Sequence, residues 1–419
     1  MVVIEELGLE SSITDDQVAS DVFRGTIFSR SVSFRRRIHS ESSLGTAIEE
    51  RNIHFICENN SGTIVKCYSV HSIGRYIYVA MESSECSLAQ AMRFVFSGGI
   101  DTIGVLANQI EYLRTHFSNP RVFCEANGKP TPLLIRMVKQ ILEALRDLHQ
   151  SGIVHRDLDV ESFYLVKHPN SDGFMVKIGN LGFAKQKDAN LAIAPRPKLM
   201  APEQTNRIPY HGQENDVFLV GLIVGYVLTS GNGLFLDPKC KGSLTYTNEA
   251  RNLFASFPEL AYLIKGLVRT PYVSRFTASS SLRYVWFWSP RDRTNFLCSV
   301  NGFVSQFSGN HPMLIKMNKY VSTYRWFGKL PANLRADLIA RNAKGRFMSL
   351  SELVRVIRNY LVHYIDNRNN TVLTSIIGKE PEGILNYFIG IFPNLMTELY
   401  EFGHLNLKNQ DVFSPYFQH

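Results

Sequence analysis

Apolar residues recur along this chain with two different periods, and the change from one to the other divides it. Strand-like runs come first: Val22-Phe23-Arg24-Gly25-Thr26, Val32-Ser33-Phe34-Arg35, Ile64-Val65-Lys66-Cys67-Tyr68 and Tyr76-Ile77-Tyr78-Val79-Ala80-Met81. Their length and alternation suit a sheet. Leu134, Met137, Val138, Ile141, Leu142, Leu145 and Leu148 then fall three or four apart and end before Ser151-Gly152, which predicts a helix with one core-facing stripe. Residues 93–130, with Gly98-Gly99 and Asn127-Gly128, read as an insertion in the loop before that helix. Phe218 to Leu228 is the most hydrophobic run. A bilayer takes about 20 such residues, so this run predicts a buried central helix. After Trp288 the pattern is helical. The first 20 residues are polar and acidic without a period and predict a short tail.

Within the helical part, Ser349 to Tyr364 reads as a helix with a capping box, Ser349 at the cap and Glu352 three residues later. Leu350, Leu353, Val354, Ile357 and Leu361 form its core stripe. Asn359 and His363 are four apart and share a side, and Arg358 sits beside Asn359 away from the stripe. One segment thus offers a cation, an amide and an imidazole.

Composition narrows the setting. The 419 residues suffice for two or three domains, and 45% hydrophobic content supports a folded core. Net charge is +8 and the pI is about 9.1, which favours an anionic partner such as RNA. Six cysteines are scattered with no CxxC pair, which argues against a zinc site or a disulfide framework and suits a reducing compartment. The N-terminus, MVVIEELGLESS, lacks the pattern of a secretory signal.

Three pieces in order carry candidate chemistry: GIVHRDLDVESFYLV from Gly152, then VKIGNLGFAK, then LMAPEQ ending after Glu203. With the Asp216-Val217-Phe218…Gly221 stretch and Arg275 they resemble a protein-kinase C-lobe. His155-Arg156-Asp157 stands as HRD and Ala201-Pro202-Glu203 as APE. The resemblance makes Asp157 the catalytic-base position, yet Ser162 replaces the loop asparagine, Asp159 its lysine, and Asn180-Leu181-Gly182 the DFG triplet, so both magnesium ligands are altered. Upstream, the strand lysine becomes Arg35, whose fork is a poor substitute for a phosphate-gripping ammonium. Ser12 to Asp21 contains no glycine, so the glycine-rich loop over the phosphates is missing. Glu49 or Glu50 is the partner glutamate, and spacing does not choose between them. Glu82-Ser83-Ser84 falls where a hinge would hold adenine. No serine, threonine or tyrosine lies between Asn180 and Glu203, which removes activation by phosphorylation of that segment. Tyr284-Val285-Trp286-Phe287-Trp288 reads as an aromatic plug capping the C-lobe, in preference to a base-stacking platform.

WSPRDRTNFL, SLSELVRVIRNYLVHY and PEGILNYFIGIFPNLMTELY follow, and with the kinase-like part upstream they resemble the kinase-extension nuclease (KEN) domain. That arrangement belongs to the family of the inositol-requiring kinase/endoribonuclease of the unfolded protein response and RNase L. The resemblance implies metal-independent RNA cleavage by the ribose 2′-OH, leaving a 2′,3′-cyclic phosphate. Arg358 and Asn359 would hold the scissile phosphate and His363 would protonate the leaving 5′-oxygen. The family also uses a tyrosine shortly before this helix, and Gly345 stands at the matching position in AKGRFMSL.

The expected fold is α+β: a two-lobed protein-kinase-like domain followed by an all-α KEN-type nuclease domain. The expected boundaries are a tail at 1–20, a kinase-like domain at 21–288 with its lobes meeting near 84–85, and a nuclease domain at 289–419. The expected function is an endoribonuclease whose kinase-like domain is a dimerisation scaffold. The alternative is a silent relative that binds an active paralogue, and residual serine/threonine kinase activity ranks last. RNA and a second copy or a related chain are the partners implied. RNA cleavage would need no cofactor. ATP or ADP is the candidate ligand of a degenerate nucleotide site made by Arg35, Glu82, Ser84, Ser162 and Asn180. With no lumenal domain, membrane span or ankyrin array in the sequence, the expected location is cytoplasmic, with recruitment to the endoplasmic reticulum by a partner.

Overall fold

The computed structural model describes residues 22–27, 30–57, 62–99, 107–168, 173–187, 199–205, 212–235, 245–320, 325–341, 348–364, 371–378 and 380–417. The chain divides into two compact units, one of Met1–Leu253 with Ile264–Leu282 and one of Phe254–Leu263 with Arg283–His419.

The first unit opens with β1 (Val22–Ile27), β2 (Arg30–Ile38), α1 (Glu41–Ile56), β3 (Cys67–Ile73) and β4 (Tyr76–Glu82). The strands form an antiparallel sheet in the order β1-β2-β4-β3. Alternation along β2 decides what each face carries. Val32 and Phe34 pack with Tyr78 and Ala80 on one face. The other buries Cys67, Ile77, Val79 and Met81 with Val65 and with Ala47 of α1, so Arg35 and Arg37, two apart, share the face that α1 covers. The strand expected from Ile64 begins three residues later, at Cys67. Its first residues are engaged elsewhere: the Val65 N–H donates to the Ile178 carbonyl at 2.8 Å, and the Ile178 N–H to Thr63 at 2.9 Å. A backbone group satisfied there is lost to the β4 ladder.

The chain continues through β5 (Cys86–Ser87), α2 (Leu88–Phe96), α3 (Ala107–Phe117), α4 (Pro132–Gln150), β6 (Ile153–Val154), β7 (Phe163–Lys167), β8 (Phe174–Ile178), β9 (Lys185–Gln186), α5 (Gln213–Leu228), α6 (Asn248–Ser256), α7 (Pro258–Leu267) and α8 (Ala278–Leu282), with the end of α6 and the first part of α7 belonging to the second unit. The expected insertion contains a helix, α3, because Leu113 and Phe117, one turn apart, are both buried. Phe117 packs with its ring centroid 5.7 Å from that of Phe174. Thr131 caps α4 by accepting the Leu134 N–H. The run read as a central helix is buried nearly all round in α5. A Cβ at Gly221 would meet Val268 at 2.6 Å, and one at Gly225 would collide with Leu234, so the helix can lie this deep only with glycine at both positions.

The second unit is helical: α9 (Pro290–Val304), α10 (Pro312–Met317), α11 (Ala332–Arg341), α12 (Leu350–Val362), α13 (Thr371–Ile377), α14 (Pro381–Ile391), α15 (Leu395–Asn406) and α16 (Ser414–Phe417). The aromatic cluster expected to cap the C-lobe packs inside this unit instead. Tyr284 stacks on Tyr262 at 5.0 Å and meets Tyr400 edge-on at 4.9 Å, while its hydroxyl bonds Thr397 at 3.1 Å. Trp288 stands edge-on to Phe296 at 4.9 Å. Tyr262 lies upstream of the run, and Thr397 and Tyr400 more than a hundred residues downstream of Tyr284, which is why the local run could not disclose where the rings go. No helix among the described residues is long and apolar enough to cross a membrane.

Candidate ribonuclease site and nucleotide cleft

In the first unit two of the side chains expected to meet nucleotide, Arg35 and Asn180, bind each other. Arg35 donates from one guanidinium nitrogen to Asn180 Oδ1 at 3.2 Å and from the other to the Tyr164 hydroxyl, with Glu50 3.9 Å away. Arg37 reaches the same glutamate at 3.2 Å and Thr46 Oγ1 at 3.2 Å. Glu50 is therefore the α1 carboxylate that faces the cleft, whereas Glu49 pairs with Lys185 at 2.8 Å. Burial pulls the Arg35 guanidinium pKa down, but Tyr164 and Glu50 outweigh it and hold the pKa above its ordinary value. Burial raises the Tyr164 phenol, so the contact joins a cation to a neutral hydroxyl.

At the hinge, the Glu82 carboxylate accepts from Lys177 Nζ at 2.7 Å and from the Lys66 N–H at 3.3 Å. The Glu82 N–H donates to the Lys66 carbonyl at 2.8 Å. Ser84 follows β4 and is half-buried. Tyr164 and Lys177 are direct cross-strand partners on the β7–β8 hairpin, so both project from one face of it.

The catalytic-loop segment is held from below. Asp216 of α5 accepts the His155 N–H at 2.8 Å, the Arg156 N–H at 3.0 Å and His149 Nε2 at 2.9 Å. Asp216 thereby fixes Arg156 in the left-handed region at φ 73°. Ser162 is fully buried, and its hydroxyl donates to the Asp157 carbonyl at 3.4 Å or to Asp159 Oδ1 at 3.2 Å while accepting the Asp159 N–H at 3.1 Å. The Asp157 N–H lies 3.4 Å from His155 Nδ1. Glu203 receives both ends of the Arg275 fork and the Asn215 amide. Among the described residues no three His, Cys, Asp or Glu side chains converge on a metal-sized point.

In the second unit, α12 buries Leu350, Leu353, Val354, Ile357 and Leu361, and also Val356 and Tyr360. Tyr360 donates to Asp337 at 2.7 Å. Ser349 caps the helix by accepting the Glu352 N–H at 3.3 Å, but the Glu352 carboxylate takes the N–H of Met348 rather than that of Ser349. The reciprocal half of the expected box is shifted back by one residue. With its core stripe seated, the helix turns Arg358 and Asn359 outward, and Arg358 donates to Asn359 Oδ1 at 3.2 Å. The helix stops at Val362, leaving His363 as its C-cap, exposed, with its N–H on the Asn359 carbonyl at 3.0 Å. Cys298 of α9 lies close enough to feel the Arg358 charge, which partly offsets the upward push of burial on its thiol. Gly345 falls outside the described residues.

Sequence reading alone did not single out Tyr164, Lys177 or Arg37. Arg37 had a signal, its two-residue spacing from Arg35, but the other two depend on which hairpin face meets the cleft.

Residues 31–287 match the protein kinase domain family, and residues 293–417 match the ribonuclease 2-5A family. The chain belongs to the protein kinase family and ends in a ribonuclease 2-5A (KEN) domain. A serine/threonine-protein kinase/endoribonuclease IRE1b of Arabidopsis thaliana is 25% identical over 94% of this chain and 46% of its own length. The rice serine/threonine-protein kinase/endoribonuclease IRE1 is 25% identical over 94% of this chain and 43% of its own. An inactive serine/threonine-protein kinase/endoribonuclease IRE1-like protein of Arabidopsis thaliana is 24% identical over 87% and 70%. The chain thus spans less than half the length of the first two relatives.

Proposed function

We propose that the KEN domain of this chain is a metal-independent endoribonuclease and that its kinase domain is a scaffold on which two chains pair. The observation that carries this reading is the Arg358–Asn359 pair, half-buried and exposed in turn, with the exposed His363 at the end of the same helix. The names of the relatives that pair a kinase with an endoribonuclease support it. In the reaction, the ribose 2′-oxygen bonds to phosphorus as the bond to the 5′-oxygen breaks. Arg358 and Asn359 hold the phosphate oxygens as charge builds on them, and His363 protonates the departing 5′-oxygen. The 2′-hydroxyl proton passes to water, since Gly345 offers no side-chain base. The products are a 2′,3′-cyclic phosphate and a 5′-hydroxyl.

The test is cleavage of a fluorescent stem-loop RNA across a range of protein concentrations in EDTA, beside His363→Ala. A rate rising faster than linearly with protein and falling by about a hundredfold or more in the variant is expected. A second reading, a silent chain that pairs with an active relative, is favoured by Gly345 and by the inactive Arabidopsis relative. Absence of cleavage at every concentration, with association to such a relative, would establish it instead.

A further inference from the structure

A protein kinase domain implies a nucleotide with its magnesium, held by the strand lysine, the DFG aspartate and the hinge. Each corresponding group here is turned to another side chain of the chain itself. Arg35 and Asn180, at the lysine and aspartate positions, are bonded to each other at 3.2 Å, and the free end of the Arg35 fork is taken by Tyr164. The Glu82 carboxylate at the hinge is taken by Lys177, which is 4% exposed. Tyr164 and Lys177 are cross-strand neighbours, so both contacts are made from one face of a single hairpin. The Tyr164 ring lies within 3.1 Å of where a Cβ on Gly179 would stand, beside Val65, and packs on the core beneath the sheet.

We infer that the cleft is ligated by its own side chains, with Tyr164 standing where the phosphates and metal would sit, and that it takes no nucleotide. The Arg35–Glu50–Tyr164–Asn180 cluster then does the work of a bound ligand. It ties α1, through Glu50, to the sheet, to the β7–β8 hairpin and to the segment after β8. The inward seat of α1 is thus built in rather than switched on. This inference is independent of RNA cleavage.

Two measurements on the full chain test it. Titration calorimetry with ATP or ADP up to about 5 mM, where a site of millimolar Kd would be largely filled, is expected to show no saturable binding with or without magnesium. Hydrogen exchange is expected to show the amides of α1 opening about tenfold faster in Tyr164→Phe, which keeps the ring and deletes only the hydroxyl, while α5 is unchanged. Tyr164→Leu should loosen α1 further. Saturable nucleotide binding by the unaltered chain would overturn the proposal. So would unchanged α1 exchange in both variants, because the cluster would then not be what holds the helix.

Discussion

His404 shows how a single side chain writes itself into the pH response. It lies in α15 with its ring parallel to that of Tyr400, 6.0 Å away. Burial first, then Lys408 and Arg283, hold its pKa below the ordinary value of 6.5. The folded chain therefore binds fewer protons here than the unfolded chain, so stability falls as pH drops through 6.5 toward the lowered value and is unaffected above that window. Urea midpoints should decline between pH 7 and pH 5, and His404→Gln should shrink that decline. An equal decline in the variant would mean that other groups set the slope. The sequence singled out Arg35, Asn180, Arg358, Asn359 and His363 by their place in a motif, and the structure adds their neighbours: Arg35 meets Asn180, and Arg358 meets Asn359. Tyr164 and Lys177 were not legible there, because their importance comes from a cross-strand pairing that brings them against residues 129 and 95 positions upstream.

At the scale of the element, α12 was the most readable part of the chain because its apolar spacing and its cap agree with each other. Every residue of the expected stripe is buried. What spacing could not fix is the last turn. The helix yields at His363, and the cap thereby sets where the imidazole stands relative to Asn359. Helix integrity and site geometry should fall together. Ser349→Ala removes the side-chain acceptor of the Glu352 N–H and should cost about 1 kcal/mol, seen as a lower thermal midpoint with a matching loss of RNA cleavage. A lower midpoint with cleavage intact would separate the cap from the site. By contrast, α3 was invisible as a helix because its buried residues are sparse among polar ones, and the strand at Ile64 was overdrawn because alternation cannot see a backbone partner taken elsewhere.

For the whole molecule, the chain forms two compact units, the second made of Phe254–Leu263 with Arg283–His419, and the aromatic run near Trp288 belongs to the second and not the first. The first unit carries a charge pair at its centre. Arg275 and Glu203 meet fork to fork with Asn215 and the Glu214 carbonyl completing the set, and both residues are 7% exposed. Arg275→Met would leave the Glu203 charge buried with one amide and should destabilise the unit by about 3–5 kcal/mol, measured as a fall in its unfolding midpoint. The double variant with Glu203→Gln should recover part of that loss. Failure to recover would show that Arg275 acts through its stacking over Phe218, 4.6 Å away, rather than through charge.

Asp216 carries a consequence of a different kind. Its carboxylate grips the His155 and Arg156 backbone from inside the C-lobe and needs nothing from the side of the loop that would face substrate. A loop fastened on its hidden side at His155 and Arg156 leaves only its far end to be held by its own side chains, and there Ser162 and Asp159 bind the backbone of Asp157, Asp159 and Glu161. Residues standing where a lysine and an asparagine would serve a reaction thus serve the shape of the loop instead.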